Sequence, residues 1–353
     1  MTGNDINVED FRQALLKWYD KARRPLPWRA PKGKFPDPYH VWLSEIMAQQ
    51  TTIPAVIPYF LKFLDKWPTV HDLANATPDD VMQNWAGLGY YARARNLHKC
   101  AVMVSKKLDG KFPQTQNELE ELPGIGNYTA NAIAALAFGR PANVVDANVE
   151  RVMARIFAVT EPLPDSKPEL KRLAGTIALA ETKRAGDYAQ SVMELGALVC
   201  TPTSPKCGIC PVNAYCRAKA IGIQNELPAR KEKGIKPQKH GYIYWITGPK
   251  GEILFERRNE KGMLGGTIGI PTSDWVERSQ PRKHLALGSS GKAGKVLVKH
   301  SFTHFDLELH GFAVILKDTK TIKEERYFWV PHKEAANLGI PTLFKKALKQ
   351  FIE

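Results

Sequence analysis

The sequence predicts a multidomain chain, an all-α N-terminal region followed by a smaller α+β domain, and three observations carry that prediction. Up to about residue 226, apolar residues recur at helical spacing, with Pro and Gly every ten to twenty residues and few alternating β-branched runs. A charged stretch, PARKEKGIKPQK (Pro228 to Lys239), then sets five basic residues against one acid with no apolar periodicity, which reads as an interdomain linker. Beyond it, HGYIYWIT, EILFERR, FDLELHGFAVIL and RYFWV are rich in aromatic and β-branched residues with partial alternation, as strands of a mixed sheet are.

A length of 353 residues with 43% hydrophobic and 24% charged residues is enough for two or three domains with their own cores, and excludes disorder, collagen and a small disulfide scaffold. No run of about 18 apolar residues occurs, and the opening MTGNDINVEDF has no basic-then-apolar leader, so a soluble cytoplasmic protein without membrane contact is expected. Fifty Lys and Arg against thirty-six Asp and Glu give a net charge of +14, which favours a polyanionic partner.

Taken in order, the first element with chemistry in it is DPYHVWLSEIMAQQT. There Val41, Trp42 and Ala48 lie at i−4, i−3 and i+3 from Glu45, so on a helix the carboxyl faces an apolar stripe. Desolvation would raise its pKa and fit it to donate a proton; a Glu turned to solvent is the ordinary alternative. LPGIGNYTA (Leu122 to Ala130) joins two short helical patterns through Gly124 and Gly126, either as a helix-hairpin-helix, about 117–138, whose backbone N–H groups grip a phosphate or as a plain turn. The helix predicted from Ala147 to Ala158 carries the stripe Val149, Val152, Met153, Ile156 and Phe157, with Arg151 and Arg155 off it. Asp146 immediately precedes it as an N-cap, a position that keeps a carboxylate ionised. One protonatable and one ionised carboxyl are what glycosidic cleavage through an oxocarbenium-like transition state needs.

Four of the five cysteines, Cys200, Cys207, Cys210 and Cys216, have the spacing C-x6-C-x2-C-x5-C. With only one C-x2-C pair, that spacing favours a [4Fe-4S] cluster over zinc. Lys206, in the loop between the first two, is of a kind that usually belongs to a solvated face, but clamped around a rigid centre it could meet a phosphate. In the C-terminal domain a polar, Gly- and Lys-rich stretch from Ser273 to Lys299 reads as a long loop. The last helix has Pro341 near its first turn and Leu343, Phe344, Ala347, Leu348 and Phe351 on one side.

Together the cysteine spacing, the LPGIG hairpin, VVDANVERVMAR, LSEIMAQQT and ELGALVC resemble the adenine DNA glycosylases of the MutY family, over about residues 20 to 220. The resemblance implies a glycosylase region over 1–227, the linker at 228–239, and a MutT-like (Nudix-fold) domain over 240–353 that recognises 8-oxoguanine. The run of acids and glycines that a working Nudix hydrolase needs is absent between Gly241 and Glu353, so pyrophosphate hydrolysis is not expected. The related endonuclease III carries a lysine nucleophile where this chain has Tyr128, and a tyrosine cannot form the imine of a lyase step.

Residue by residue, the resemblance implies that Glu45 protonates the base and Asp146 stabilises the cationic sugar, with Tyr128 and Asn148 as supports. It puts Trp28, Arg29 and Gln190 in the base pocket and makes Gln50 and Tyr90 wedges in the stack. Gly124, Gly126 and Lys206 are implied as phosphate contacts. Phe302-Thr303-His304 matches the family's Phe-Ser-His loop that reads the oxidised guanine, with Thr in place of Ser, and MLGGTIGIP departs from the usual aromatic-containing version. The implied partner is double-stranded DNA with adenine opposite 8-oxoguanine or guanine, bound by a monomer.

Overall fold

A computed structural model describes residues 6–277 and 292–352, apart from 32, 181, 233 and 323. Its helices are α1 (Val8–Ala22), α2 (Pro38–Ala48), α3 (Ile53–Lys66), α4 (Val70–Asn75), α5 (Pro78–Trp85), α6 (Ala92–Lys107), α7 (Gln116–Glu120), α8 (Asn127–Phe138), α9 (Ala147–Ile156), α10 (Lys167–Ala178), α11 (Ala185–Leu198), α12 (Arg217–Ala220), α13 (His332–Ala335) and α14 (Thr342–Ile352). The strands are β1 (Gln238–Thr247), β2 (Ile253–Arg257), β3 (Ile268–Gly269), β4 (Lys292–Ser301), β5 (Asp306–Ile315) and β6 (Tyr327–Val330). Contacts divide the chain into two units: Met1–Asn75 with Lys99–Glu232, and Ala76–His98 with Lys233–Glu353. The second unit thus takes in a piece of the helical region as well as everything after the linker.

In the first unit the helix starts are written in side-chain chemistry. Asn7 caps α1 by accepting from the N–H groups of Glu9 and Asp10, Asp37 caps α2 ahead of Pro38, and Asp146 caps α9 by accepting from that of Val149. Helices α1, α9, α10 and α11 pack around Phe11, Leu15, Val152, Met153, Leu170, Ile177, Val192 and Leu195. On α9 the apolar stripe is buried as its periodicity predicts, but the helix ends at Ile156, and Ala158 turns out of it with φ 54°. Arg151 and Arg155 correct the expectation that they lie apart from the packed face. Both are buried: Arg151 donates to the carbonyls of Gly196 in α11 and of Cys200, and Arg155 to those of Leu227, Thr201 and Pro202.

The second unit is a mixed sheet in the order β3-β2-β1-β5-β4, with β6 pairing β2. Strands β1 and β5 run parallel through ten consecutive register pairs from Gln238↔Asp306 to Thr247↔Ile315; the other pairings are antiparallel. Alternation sends Ile243, Trp245, Leu307 and Leu309 into a core with Leu343, Phe344, Ala347 and Leu348 of α14, the side predicted for that helix. Tyr242, Tyr244, Leu254 and Val314 gather on the opposite face. The long loop expected from Ser273 to Lys299 is corrected at its end: residues from Lys292 onward form β4, where Leu297 and Val298, both strand-forming, pair with His310 and Leu309 of β5. Residues 278–291 of that stretch lie outside the described ones. Among the described residues no helix is long and apolar enough to cross a membrane.

Candidate active site

The first unit holds a cleft of about 1560 Å³, walled by the segment after α1 and by α2, α8, α9 and α11. Trp28, Arg29, Glu45, Gln50, Tyr128, Asp146, Asn148 and Gln190 all line it.

Glu45 projects from α2 and is hydrogen-bonded to the Tyr128 hydroxyl of α8. Burial pushes its pKa up to about 7; the Tyr128 hydrogen bond and Arg29 pull the other way, and the charge of Asp146 adds to the rise. Tyr128 is itself raised well above the usual phenol range, by burial first and then by Glu45 and Asp146, so it stays a protonated donor. Its hydroxyl also lies 3.7 Å from the Met193 sulfur.

Both oxygens of Asp146 accept hydrogen bonds, Oδ1 from the Val149 N–H at 2.8 Å and Oδ2 from the Asn148 amide at 2.7 Å. The Asn148 oxygen in turn accepts from Arg151 at 2.9 Å, and Arg151 also donates to the carbonyls of Gly196 and Cys200, each at 2.8 Å. Helix α11 comes this close because residue 196 is glycine: a Cβ there would stand 2.6 Å from that of Asn148.

On the other wall, Arg29 donates to Glu194 at 3.0 Å, and Arg24 reaches the same carboxylate at 2.7 and 2.9 Å. Burial alone would raise Glu194, yet these two guanidiniums hold it at about 2. Trp28 packs edge-on to Phe60 at 5.1 Å, and the buried Gln190 donates to the Gly186 carbonyl at 3.3 Å. Gln50 sits at the mouth in a left-handed conformation, φ 57°.

Two further groups flank this cleft in sequence. Gly124, at φ 78°, makes the turn between α7 and α8 that an L side chain would strain, and Gly126 is the N-cap of α8. That helix start has no capping side chain, leaving its first-turn N–H groups for another acceptor. Cys200, Cys207, Cys210 and Cys216 line one apolar hollow, with no disulfide among them. Burial pushes Cys210 up to about 11 and raises Cys216. Arg155 lies 3.2 Å from the Cys200 sulfur and donates to the carbonyls of Thr201 and Pro202. Four convergent thiols over an apolar hollow fit an iron–sulfur cluster. Lys206 is exposed in the same loop.

In the second unit, Phe302, Thr303 and His304 form the turn between β4 and β5. Phe302 stacks on Trp275 at 5.7 Å and packs on Phe305 and His300, whereas Thr303 and His304 are exposed. The Thr303 hydroxyl is 2.6 Å from that of Tyr90. Tyr90 and Gln50, expected as a pair, thus belong to different units.

Residues 43–176 match the HhH-GPD superfamily of base excision DNA repair proteins, 200–216 the iron–sulfur binding domain of endonuclease III, and 242–350 the NUDIX domain. Among solved structures, a thermostable thymine-DNA glycosylase is 30% identical with a TM-score of 0.54, covering 61% of this chain and 97% of its own. The adenine DNA glycosylase of Mus musculus is 45% identical, covering 98% of this chain and 78% of the mouse protein; that of Homo sapiens is 33% identical, covering 98% and 74%. The chain belongs to the adenine DNA glycosylase family. It is a DNA glycosylase, a hydrolase of N-glycosidic bonds in base excision repair, with a cysteine loop for an iron–sulfur cluster.

Sequence reasoning gave no role to three residues of this family member that the site is built on. Glu194 anchors Arg29, and Arg151 and Arg155 tie α9 to the cysteine loop. For Glu194 a signal existed: a carboxyl at a buried position of an otherwise apolar helix needs a cationic partner. The arginines gave none, since an Arg off the apolar stripe of a helix ordinarily faces water.

Proposed function

We propose that this glycosylase excises adenine mispaired with 8-oxoguanine, and with guanine, from duplex DNA by base flipping and hydrolysis. The observation that carries the reading is the contrast between two carboxyls in one cleft: Glu45, pushed up to about 7, and Asp146, whose two oxygens both accept hydrogen bonds. The names of the relatives support adenine as the base.

The base must leave the stack before its glycosidic bond can be attacked, and Gln50 and Tyr90 act as the side chains that enter as it goes. In the cleft, Trp28 packs along the adenine, Arg29 is held rigid by Glu194, and Gln190 presents an amide to the base edge. Glu45 gives its proton to N7. The C1′–N9 bond then breaks with its electron pair passing to a base that departs neutral, and the sugar is left cationic at C1′. Asp146 stabilises that cation, as a charge or through a transient bond, and water completes the abasic site. Tyr128 and Asn148 hold the two carboxyls in place.

An iron–sulfur cluster, held by Cys200, Cys207, Cys210 and Cys216, would supply a rigid metal cross-link of the loop. The backbone at Gly124 and Gly126 and the Lys206 side chain grip phosphates. Phe302, Thr303 and His304 read the oxidised guanine, Thr303 through its hydroxyl. Under this reading residues 1–227 are the catalytic region, 228–239 a linker and 240–353 the lesion-recognition domain of a monomeric cytoplasmic enzyme.

Duplexes carrying adenine opposite 8-oxoguanine, guanine or thymine, incubated with the protein and then treated with alkali, test the reading. Breaks at adenine are expected for the first two, fastest for the first, and none without alkali because Tyr128 cannot form an imine. An intact first duplex would reject the function.

A further inference from the structure

We propose that His240, Glu308 and His310 form a binding site for one divalent transition-metal ion of the zinc class, independent of the glycosylase cleft. A ligand atom from each of the three lies within 4.8 Å of those of the other two, and among the described residues they are the group so arranged.

The placement follows from strand geometry. His240 and Glu308 are direct register partners on the parallel pair β1 and β5, and His310 is two residues beyond Glu308, hence on the same side of β5. All three occupy the sheet face that carries Tyr242 and Phe312, opposite the face packed by α14. Ligands fixed on two paired strands lose little freedom on binding, unlike ligands on a loop.

Two imidazoles and one carboxylate suit zinc, copper or nickel rather than magnesium or calcium, which want oxygen ligands. With zinc–nitrogen distances of about 2.0 Å, the three atoms need to close by only about 1.5 Å, within reach of side-chain rotation, and a fourth position stays open to water. The carboxylate already divides its oxygens: Oε1 lies 3.5 Å from His310 Nε2, and Oε2 lies 3.4 Å from Lys299. A metal entering between Oε1 and the imidazoles leaves the Lys299 contact in place. His310 is 52% exposed, so the site opens to solvent for ion entry.

The site stands two register pairs along from Gln238↔Asp306, where β5 leaves the turn bearing Phe302, Thr303 and His304. A bound ion would therefore cross-link the two strands at the root of that turn.

The test is calorimetric titration of zinc chloride into the full chain with its iron–sulfur cluster intact, so that the cysteines are occupied. The unsubstituted protein is expected to take up one zinc ion per chain, with affinity at least tenfold weaker in His310→Ala and in His240→Ala. Zinc-edge X-ray absorption should show only nitrogen and oxygen ligands. His310 is solvent-facing, so its replacement leaves folding intact. Identical isotherms in all three proteins, no uptake, or sulfur ligation would each overturn the proposal.

Discussion

Glu45 carries a cost that its neighbours do not remove. Desolvation holds it near 7 where a free glutamate titrates at 4.5, so between those values the folded chain keeps a proton that the unfolded chain has released. Stability must therefore fall as pH rises through that window and level off above about 7, by about 3 kcal/mol in all. Glu45→Gln removes this dependence: denaturant unfolding should show the variant more stable than the parent at pH 8 and little different at pH 4. Its excision of adenine should drop by about 10²- to 10⁴-fold with duplex binding retained, while the parent's rate falls with pH above about 7 as the acid is lost. A parent whose rate is flat from pH 6 to 9 would contradict the assigned acid. The positions of Glu45 and Asp146 were legible in the sequence because one sits in an apolar helical stripe and the other at a helix start. The partnership of Glu194 with Arg24 and Arg29 was not, since it joins side chains about 165 to 170 positions apart.

Helices α9 and α11 are held together by Gly196 on one and by Arg151 on the other. Gly196→Ala would force a methyl to within 2.6 Å of the Asn148 Cβ. Overpacking of that kind costs about 1–3 kcal/mol, and here it displaces the residue that donates to Asp146. Both a lower melting temperature and slower excision are expected; an unchanged rate would show that the Asn148 hydrogen bond is dispensable. Arg155 satisfies carbonyls of Leu227, Thr201 and Pro202 and touches the Cys200 sulfur. In Arg155→Met the buried Leu227 carbonyl loses its donor, at about 1–3 kcal/mol, and the cysteine loop loses its brace. The purified variant should contain less iron per chain, measured by elemental analysis. At this scale periodicity gave the apolar stripe of α9 and the inner side of α14, but it could not tell a solvated arginine from one buried against carbonyls. The Ser273–Lys299 stretch failed in a similar way: its Gly and Lys content masked a strand that only pairing with β5 makes stable.

For the whole molecule, the charge of +14 is the property that the DNA backbone meets first. Duplex affinity should fall linearly with salt on a log–log scale, by about 0.9 per phosphate contacted, and Lys206→Ala should lower the slope by about one such contact without changing which base is excised. Fluorescence anisotropy between low and moderate salt measures this; an unaltered slope would remove Lys206 from the interface. The sequence by itself determined the two kinds of fold, the cysteine spacing, the hairpin glycines and the helix-borne carboxyls, because each rests on local spacing or on what one residue type permits. Only the tertiary structure decided that Glu45 and Asp146 share a cleft and that Arg151 runs from Asn148 to the cysteine loop. It also decided that residues 76–98 group with the C-terminal unit and that His240 meets Glu308. Those facts depend on which surfaces the chain brings together after long stretches of intervening sequence, and a periodic pattern carries no record of its distant partner.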